Sequence, residues 1–340
     1  MIKLYGKTLS ELTEIVLKHN LPKFTAKQIA NWLYVKHISN INDMTNLSKK
    51  AREILEKEYI IGLKAPISES ISEDGTKKYL FKIDENKFIE TAYIPEKERA
   101  TVCVSSQVGC KMNCLFCSTG KQGFQANLTS NEILNQLQSL PDFEKITNIV
   151  YMGMGEPFDN LNNVLKSLEI LTSDWGYAMS PKRITVSTIG IVPAIKEFLD
   201  KSKAHLAVSL HSPFDNERRE LMPIQKKYKL EEVLAEIKSF EFNRQRRVSF
   251  EYIVFKGLND SKKHARELTK ILKGIKCRIN LIRYHNVPGV DLQTTDETVL
   301  LQFQNILKAN GIVTTIRASR GQDIDAACGL LSTKYISNSI

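Results

Sequence analysis

Over the first sixty residues, apolar side chains recur at helical spacing. Leu9, Leu12, Ile15, Val16 and Leu17 form one such set, Ile29, Trp32 and Leu33 a second, and Ile54 and Leu55 a third. Pro22, the stretch 41–43 and Ser48 mark the breaks between short helices. The period then changes to strand-like runs at 78–83, 88–94 and 101–105. Thr129 and Glu132 make a T-x-x-E capping box ahead of Ile133, Leu134 and Leu137. Beyond it, apolar strands at 146–152, 183–187, 204–209, 248–254, 278–282 and 311–316 alternate with helical stretches such as 163–171 and 229–237. Such alternation predicts βα units and a parallel sheet. Six units are too few to close an eight-stranded barrel. The expected fold is therefore α/β, a partial (βα)6 barrel open on one side. A small basic helical domain with its linker should occupy residues 1–86, and the core residues 87–340.

Composition narrows the class. The chain has 340 residues, 42% hydrophobic and 25% charged, as an ordinary globular protein does. No apolar run approaches a membrane span, and the first residues lack a signal peptide's apolar stretch. Six cysteines, several of them suited to work as thiols, point to a reducing cytoplasm. The net charge of +10 favours a polyanionic partner. Basic clusters recur at Lys49–Lys50, Lys182–Arg183, Arg218–Arg219, Lys226–Lys227 and residues 244–247. The first sixty residues hold ten Lys/Arg against six Asp/Glu. Any single cluster is usually a solvated face. Several together favour nucleic acid, without separating RNA from DNA.

The most specific chemistry lies at Cys110, Cys114 and Cys117, a C-x3-C-x2-C run. A structural zinc site asks for four ligands, often two C-x2-C pairs, and only one pair exists here. Three thiols within eight residues are too crowded for a disulfide framework. Three thiolates can instead hold three irons of a [4Fe–4S] cube, leaving the fourth iron open to a small molecule. With Phe116 before the last cysteine, the run is similar to that of the radical S-adenosylmethionine (SAM) enzymes. The likeness implies that the open iron binds SAM, and that one electron cleaves it to a 5′-deoxyadenosyl radical.

Further polar residues sit where barrel sites form, at strand ends. Gly153, Gly155 and Glu156 follow the strand ending near Met152. They suit a ligand's amino group, or merely a tight turn. Ser187, then Ser209, Leu210 and His211, and then His285 end the following strands. Cys103 and Cys328 lie outside the triplet. Either thiol chemistry or inert packing accounts for them. Cys277 has no motif around it and is expected to be structural.

Together these stretches resemble the RlmN and Cfr family of radical SAM RNA methyltransferases. The resemblance is carried by residues 88–91, 103–110, 116–119, 122–124, 127–128, 152–157, 209–211, 221–224 and 323–329. It spans nearly the whole chain. Gln122, Gly123 and Phe124 look like RlmN rather than Cfr. The likeness implies a radical SAM barrel that makes 2-methyladenosine in 23S rRNA, at adenosine 2503, and in tRNA, at adenosine 37. It implies Cys110, Cys114 and Cys117 on the cluster, and Gly155, Glu156, Ser187, Ser209, Leu210 and His211 around SAM. His285 stands where the family usually has Asn. It further implies Cys328 as a methyl-carrying cysteine, Cys103 as its resolving partner and Glu90 as the proton acceptor. The likeness also implies two SAM molecules per turnover. The implied partners are 23S rRNA, tRNA and an external, flavodoxin-like electron donor, with a monomeric enzyme and no membrane. Cfr-like methylation at C8 stays open, as does a non-catalytic Fe–S protein that binds RNA.

Overall fold

The computed structural model describes residues 1–242 and 248–333; the basic cluster expected at 244–247 lies outside them. Strand β1 (Ile2–Lys3) leads into helices α1 (Leu9–Lys18), α2 (Thr25–Tyr34) and α3 (Lys49–Glu58), and β2 (Tyr59–Ile60) pairs back on β1 in parallel. The caps explain the boundaries. Thr8 accepts from the Glu11 amide, and Glu11 accepts in turn from the Thr8 amide; Ser48 caps α3 through Ala51.

Strands β3 (Ser68–Ile71), β4 (Lys77–Asp84), β5 (Lys87–Pro95) and β6 (Ala100–Cys103) follow. Next come the short hairpin of β7 (Gln107–Gly109) and β8 (Phe124–Asn127), which flanks α4 (Ser118–Gln122), and then α5 (Ser130–Gln138). The repeating part runs β9 (Asn148–Tyr151), α6 (Leu161–Thr172), β10 (Ile184–Thr188), α7 (Val192–Lys201), β11 (His205–Ser209), α8 (Asp215–Leu221) and α9 (Leu230–Ser239). It ends with β12 (Val248–Val254), α10 (Lys262–Ile271), β13 (Cys277–Arg283), α11 (Glu297–Ala309) and β14 (Val313–Ile316). The capping box expected at Thr129 is present at the start of α5.

Ten strands form one sheet in the order β14-β13-β12-β11-β10-β9-β6-β5-β4-β3. From β6 to β14 every pairing is parallel. The parallel block holds one strand more than six βα units supply, because β6 pairs with β9. Strands β3 to β5 extend the sheet antiparallel. The sheet thus stays open rather than closing on itself. The β4–β5 pairing runs across residues 86 and 87, so the sheet is continuous there.

The helical module shares its core with the barrel: Leu12, Val16, Ile29, Leu33 and Leu55 belong to the same buried cluster as Ile149, Val186 and Phe250. The Tyr5 hydroxyl donates to the Leu134 carbonyl at 3.1 Å, and the Asn131 side chain donates to the Tyr5 carbonyl at 3.0 Å. Lys49, Lys50, Lys182, Arg183, Lys226 and Lys227 are exposed, as solvated basic clusters should be. Arg218 is not, being fully buried. Among the described residues, no helix is long and apolar enough to cross a membrane.

Candidate active site at the strand ends

The loop from Gly109 to Ser118 is fixed by backbone bonds to distant parts of the chain. Cys110 donates to the Gly123 carbonyl at 3.1 Å, Leu115 to Leu221 at 2.9 Å and Ser118 to Gly329 at 2.8 Å. Phe116 turns into an apolar cluster with Ile253, Phe255 and Leu330, and its ring stands edge-on to His211 with centroids 4.7 Å apart. Cys110, Cys114 and Cys117 all reach one cavity, which Ser187, Ser209, His211, Glu251, Arg317, Cys103 and Cys328 also line.

Burial pushes the Cys110 thiol up to about 12 and Cys114 well above its ordinary value, and each thiolate would raise its neighbours further. Cys110 and Cys114 stay protonated unless a cationic group draws them into the thiolate form. Among the described residues, no group of three or more His, Cys, Asp or Glu side chains is placed around a single metal ion. A cube asks for something different, since each thiolate binds its own iron. Soft donors, mutual proximity and a cavity in front of them fit an Fe–S cluster.

The glycine turn after β9 is shaped chiefly by packing. A Cβ on Gly153 would stand 2.8 Å from the Val104 carbonyl, and Gly155, at φ +93°, leaves no room beside Gln107. Glu156 is fully engaged from within. One carboxylate oxygen accepts from Phe158 at 3.0 Å and the other from Ile189 at 2.9 Å. Burial still raises its pKa to about 7, against the pull of those hydrogen bonds. Gly155 and Glu156 nevertheless line the cavity wall. His211 takes a left-handed backbone, φ 55°. Its Nδ1 accepts from the Ile253 amide at 3.0 Å, which places the ring proton on Nε2. Burial, helped by the nearby Arg218 charge, lowers its pKa to about 3, so the ring is neutral.

Two family models match the chain. The N-terminal domain model of the ribosomal RNA large subunit methyltransferases covers residues 2–61, and the radical SAM superfamily model covers residues 104–269. A protein of Bacteroides thetaiotaomicron named as a probable dual-specificity RNA methyltransferase RlmN is 56% identical over 97% of this chain and 96% of its own length. The dual-specificity RNA methyltransferase RlmN of Syntrophus aciditrophicus is 42% identical, over 98% and 97% of the two chains. The crystal structure of a radical SAM methyltransferase from Sphaerobacter thermophilus superposes with a TM-score of 0.90 at 38% identity, covering 97% of this chain and 99% of that one.

The chain belongs to the RlmN family. It is accordingly a radical SAM methyltransferase, an enzyme that works with a [4Fe–4S] cluster and SAM.

The structure gathers most of the residues that the RlmN resemblance singled out, though not all. Cys103, at the end of β6, is buried against Ala92 and Ala326, while Cys328 is exposed on the C-terminal segment. Both line the cavity, and burial raises Cys103 to about 12, with the Cys328 thiol adding to the effect. Leu210 is wholly buried in the core and does not line the cavity; its amide donates to the Glu251 carbonyl. His285 lines an adjoining pocket that shares Arg317 and Cys328 with the main one. Glu90 lies outside the cavity lining. Lys78 reaches one of its oxygens at 2.9 Å, and the Ser332 amide donates to the other at 2.9 Å. Burial raises its pKa, and Lys78 opposes the rise.

Four structurally important residues escape motif reading. Arg218 donates to the carbonyls of Leu210, Ile189 and Ser209 from beneath the site. Lys78 pairs with Glu90, while Glu251 and Arg317 meet in the cavity. For Lys78, Glu251 and Arg317, a charged side chain within or just beyond an apolar strand was the available signal, since a buried charge needs a partner; Arg218, in α8, gave none.

Proposed function

We propose that this enzyme methylates C2 of adenosine in 23S rRNA, at position 2503, and in tRNA, at position 37. RlmN membership supports the RNA substrate. The observation that carries the chemistry is that Cys103 and Cys328 line the same cavity as the cysteine triplet, with Cys328 near enough to act on the Cys103 thiol.

When bound, the cluster and SAM supply a 5′-deoxyadenosyl radical. Adenine C2 lies between two ring nitrogens and is too electron-poor to accept a methyl group as a nucleophile. A thiol can do so, which gives Cys328 its role as carrier: it is exposed, and its segment borders the cavity. Once the carbon carried on the Cys328 sulfur has lost a hydrogen atom to the radical and joined C2, Cys103 attacks that sulfur, the sulfur–carbon bond breaks to free the methylated RNA, and the resulting disulfide is reset by an external reductant. The burial of Cys103 keeps it a thiol until that step. Glu90 keeps the role of C2 proton acceptor that the family resemblance implies, although it stands outside the cavity lining. Lys78 and the Ser332 amide hold its carboxylate in place, so the C-terminal segment that bears Cys328 also contacts Glu90. Cys110, Cys114 and Cys117 hold the cluster, while Gly155, Glu156, Ser187, Ser209 and His211 shape the SAM side. Leu210 contributes through its backbone, and His285 acts from the adjoining pocket. The exposed lysines of the helical module hold RNA phosphates.

The test is mass spectrometry of adenosines in rRNA and tRNA incubated with the reduced holoenzyme. 2-Methyladenosine is expected. Formation of 8-methyladenosine instead, or no modified base, would overturn the assignment. In parallel, Cys103→Ala should trap a nuclease-sensitive RNA–protein adduct that Cys103→Ala/Cys328→Ala cannot form. Normal multiple turnover by Cys103→Ala would remove the resolving role.

A further inference from the structure

Glu251 projects from the middle of β12 and is 4% exposed. One carboxylate oxygen accepts from the Ser249 hydroxyl at 3.0 Å and from the Asn280 amide at 2.8 Å. The other, Oε2, is buried and accepts no hydrogen bond among the described residues. Leaving a buried acceptor unmet is costly, and a folded protein seldom keeps one without a use. Both Glu251 and Arg317 line the cavity with the thiols. Arg317 Nη1 stands 3.9 Å from the free oxygen, too far for a hydrogen bond between them. The Arg317 backbone is fixed by its amide, which donates to Leu281 at 2.9 Å, so the side chain has a defined origin. The Arg317 guanidinium is charged at any pH at which the enzyme folds, as arginine in proteins is.

The cavity lining therefore brings together a free acceptor on Glu251, a charged donor on Arg317 and the Cys328 thiol. Adenine presents the complement of these groups along one edge. Its exocyclic amino group donates, N1 accepts, and C2 comes next. Guanine reverses the first two, with an acceptor at O6 and a donor at N1. Cytosine matches them but carries a carbonyl at C2.

We propose that Glu251 and Arg317 are the base-reading pair of this enzyme, Glu251 accepting from the adenine amino group and Arg317 donating to N1, so that C2 is delivered to Cys328. The assignment rests on the C2 chemistry proposed above. It adds the residues that select the base and its orientation. SAM also carries an adenine, so the shared chemistry is an adenine edge. Proximity to Cys328 favours the adenine of the RNA.

The experiment measures dissociation constants of the anaerobic holoenzyme for an rRNA fragment. The target position carries adenosine, purine riboside (lacking the amino group), 1-deazaadenosine or 7-deazaadenosine. Wild type should bind the purine and 1-deaza RNAs roughly tenfold more weakly or worse, as removal of a hydrogen bond to the base predicts, and the 7-deaza RNA unchanged. Glu251→Ala should erase the purine penalty, and Arg317→Ala the 1-deaza penalty. A purely structural role would lower all affinities together and leave the ratios alone. The two variants sit on different segments, so a fold defect in one leaves the other informative.

SAM affinity, measured on the same proteins, identifies the source. If it stays within twofold, the RNA base is the ligand. If it falls tenfold while the base penalties persist in both variants, the adenine read is SAM's and the assignment to the RNA base is overturned. Equal binding of all four RNAs by wild type, with unchanged SAM affinity in both variants, overturns the proposal. So does a penalty confined to 7-deazaadenosine, which would place C8 at Cys328. Absence of 2-methyladenosine from the wild-type reaction would strike the proposed function instead. It would leave these binding ratios interpretable.

Discussion

At the residue scale, the site depends on charged and polar groups that are held rather than free. His211 shows how closely backbone and side chain are tied. Its left-handed φ suits few residues, and Asn is one of them. Its Nδ1 accepts from Ile253, which an Asn carbonyl oxygen could also do. The pKa of His211 falls from 6.5 to about 3 on folding. The folded chain thus refuses a proton that the unfolded chain accepts. Its contribution to stability is fully present above pH 6.5 and is lost as pH falls toward 3. The slope is on the order of 1 kcal/mol per pH unit. His211→Asn should therefore flatten the decline of the urea midpoint between pH 6.5 and 5.5 while preserving the fold. An unchanged slope in the variant would mean that the ring takes its proton without unfolding. Lys78 makes a complementary case, because it shares the buried Glu90 carboxylate with the Ser332 amide. Lys78→Met should leave SAM cleavage intact, slow RNA methylation by one to two orders of magnitude and move its pH profile upward. The shift is upward because the carboxyl group loses the charge that opposes its burial. A uniform loss of rate without a shifted profile would make Lys78 a packing residue only.

At the scale of elements, the C-terminal segment is suspended from both sides. Before Cys328, Asp323 accepts from the Ser72 hydroxyl at 2.5 Å and the Glu73 amide at 3.2 Å, and Gly321 donates to Asp74 at 2.9 Å. After it, the Gln122 side chain donates to the Thr333 hydroxyl at 2.6 Å and accepts from the Thr333 amide at 3.1 Å, while Thr119 donates to the Leu331 carbonyl at 2.6 Å. Cys328 lies between two anchors, with no strand or helix of its own. Gln122→Ala removes two good hydrogen bonds, about 1–3 kcal/mol of local stability. Amide exchange across residues 328–333 should rise by about ten- to a hundredfold, and exchange in β9 to β13 should not change. Equal protection in variant and wild type would show that the second anchor lies elsewhere. These elements also mark how far the amino-acid pattern carries. The parallel strands were legible because continuous apolar runs between turn signals leave few alternatives. Strand β3, with Ser68, Glu69 and Ser70 all exposed, and the three-residue β7 carry no such pattern and form only because partners are available. The cysteine triplet was legible from spacing alone. Glu251 and Arg317 were not, because their meaning comes from a cavity shared by β12 and the chain beyond β14. The Arg218–Arg219 cluster misled for a related reason: sequence cannot distinguish a solvated arginine from one buried on three carbonyls.

At the scale of the whole molecule, the helical module and the cavity are parts of one packed body. The cavity lies at the strand ends of the barrel, and the helical module is packed on the same core. The module cannot be cut away cleanly, because removing Leu12, Val16, Ile29 and Leu33 would expose the barrel surface beneath them. Its RNA role is better tested by charge. Lys49 and Lys50 are exposed at the first turn of α3, where a carboxylate is favourable to the helix. Lys49→Glu/Lys50→Glu should therefore fold normally and keep the cluster and SAM cleavage at wild-type level. If both lysines meet phosphates, RNA affinity at fixed salt should fall. The slope of log affinity against log salt should also become shallower, by roughly 0.7–0.9 for each phosphate no longer neutralised. Discrimination among bases at the target position should stay as in wild type, since the cavity is untouched. A lower affinity with an unchanged salt slope would mean that the substitutions act through shape, and that these lysines are a solvated face with no phosphate in reach.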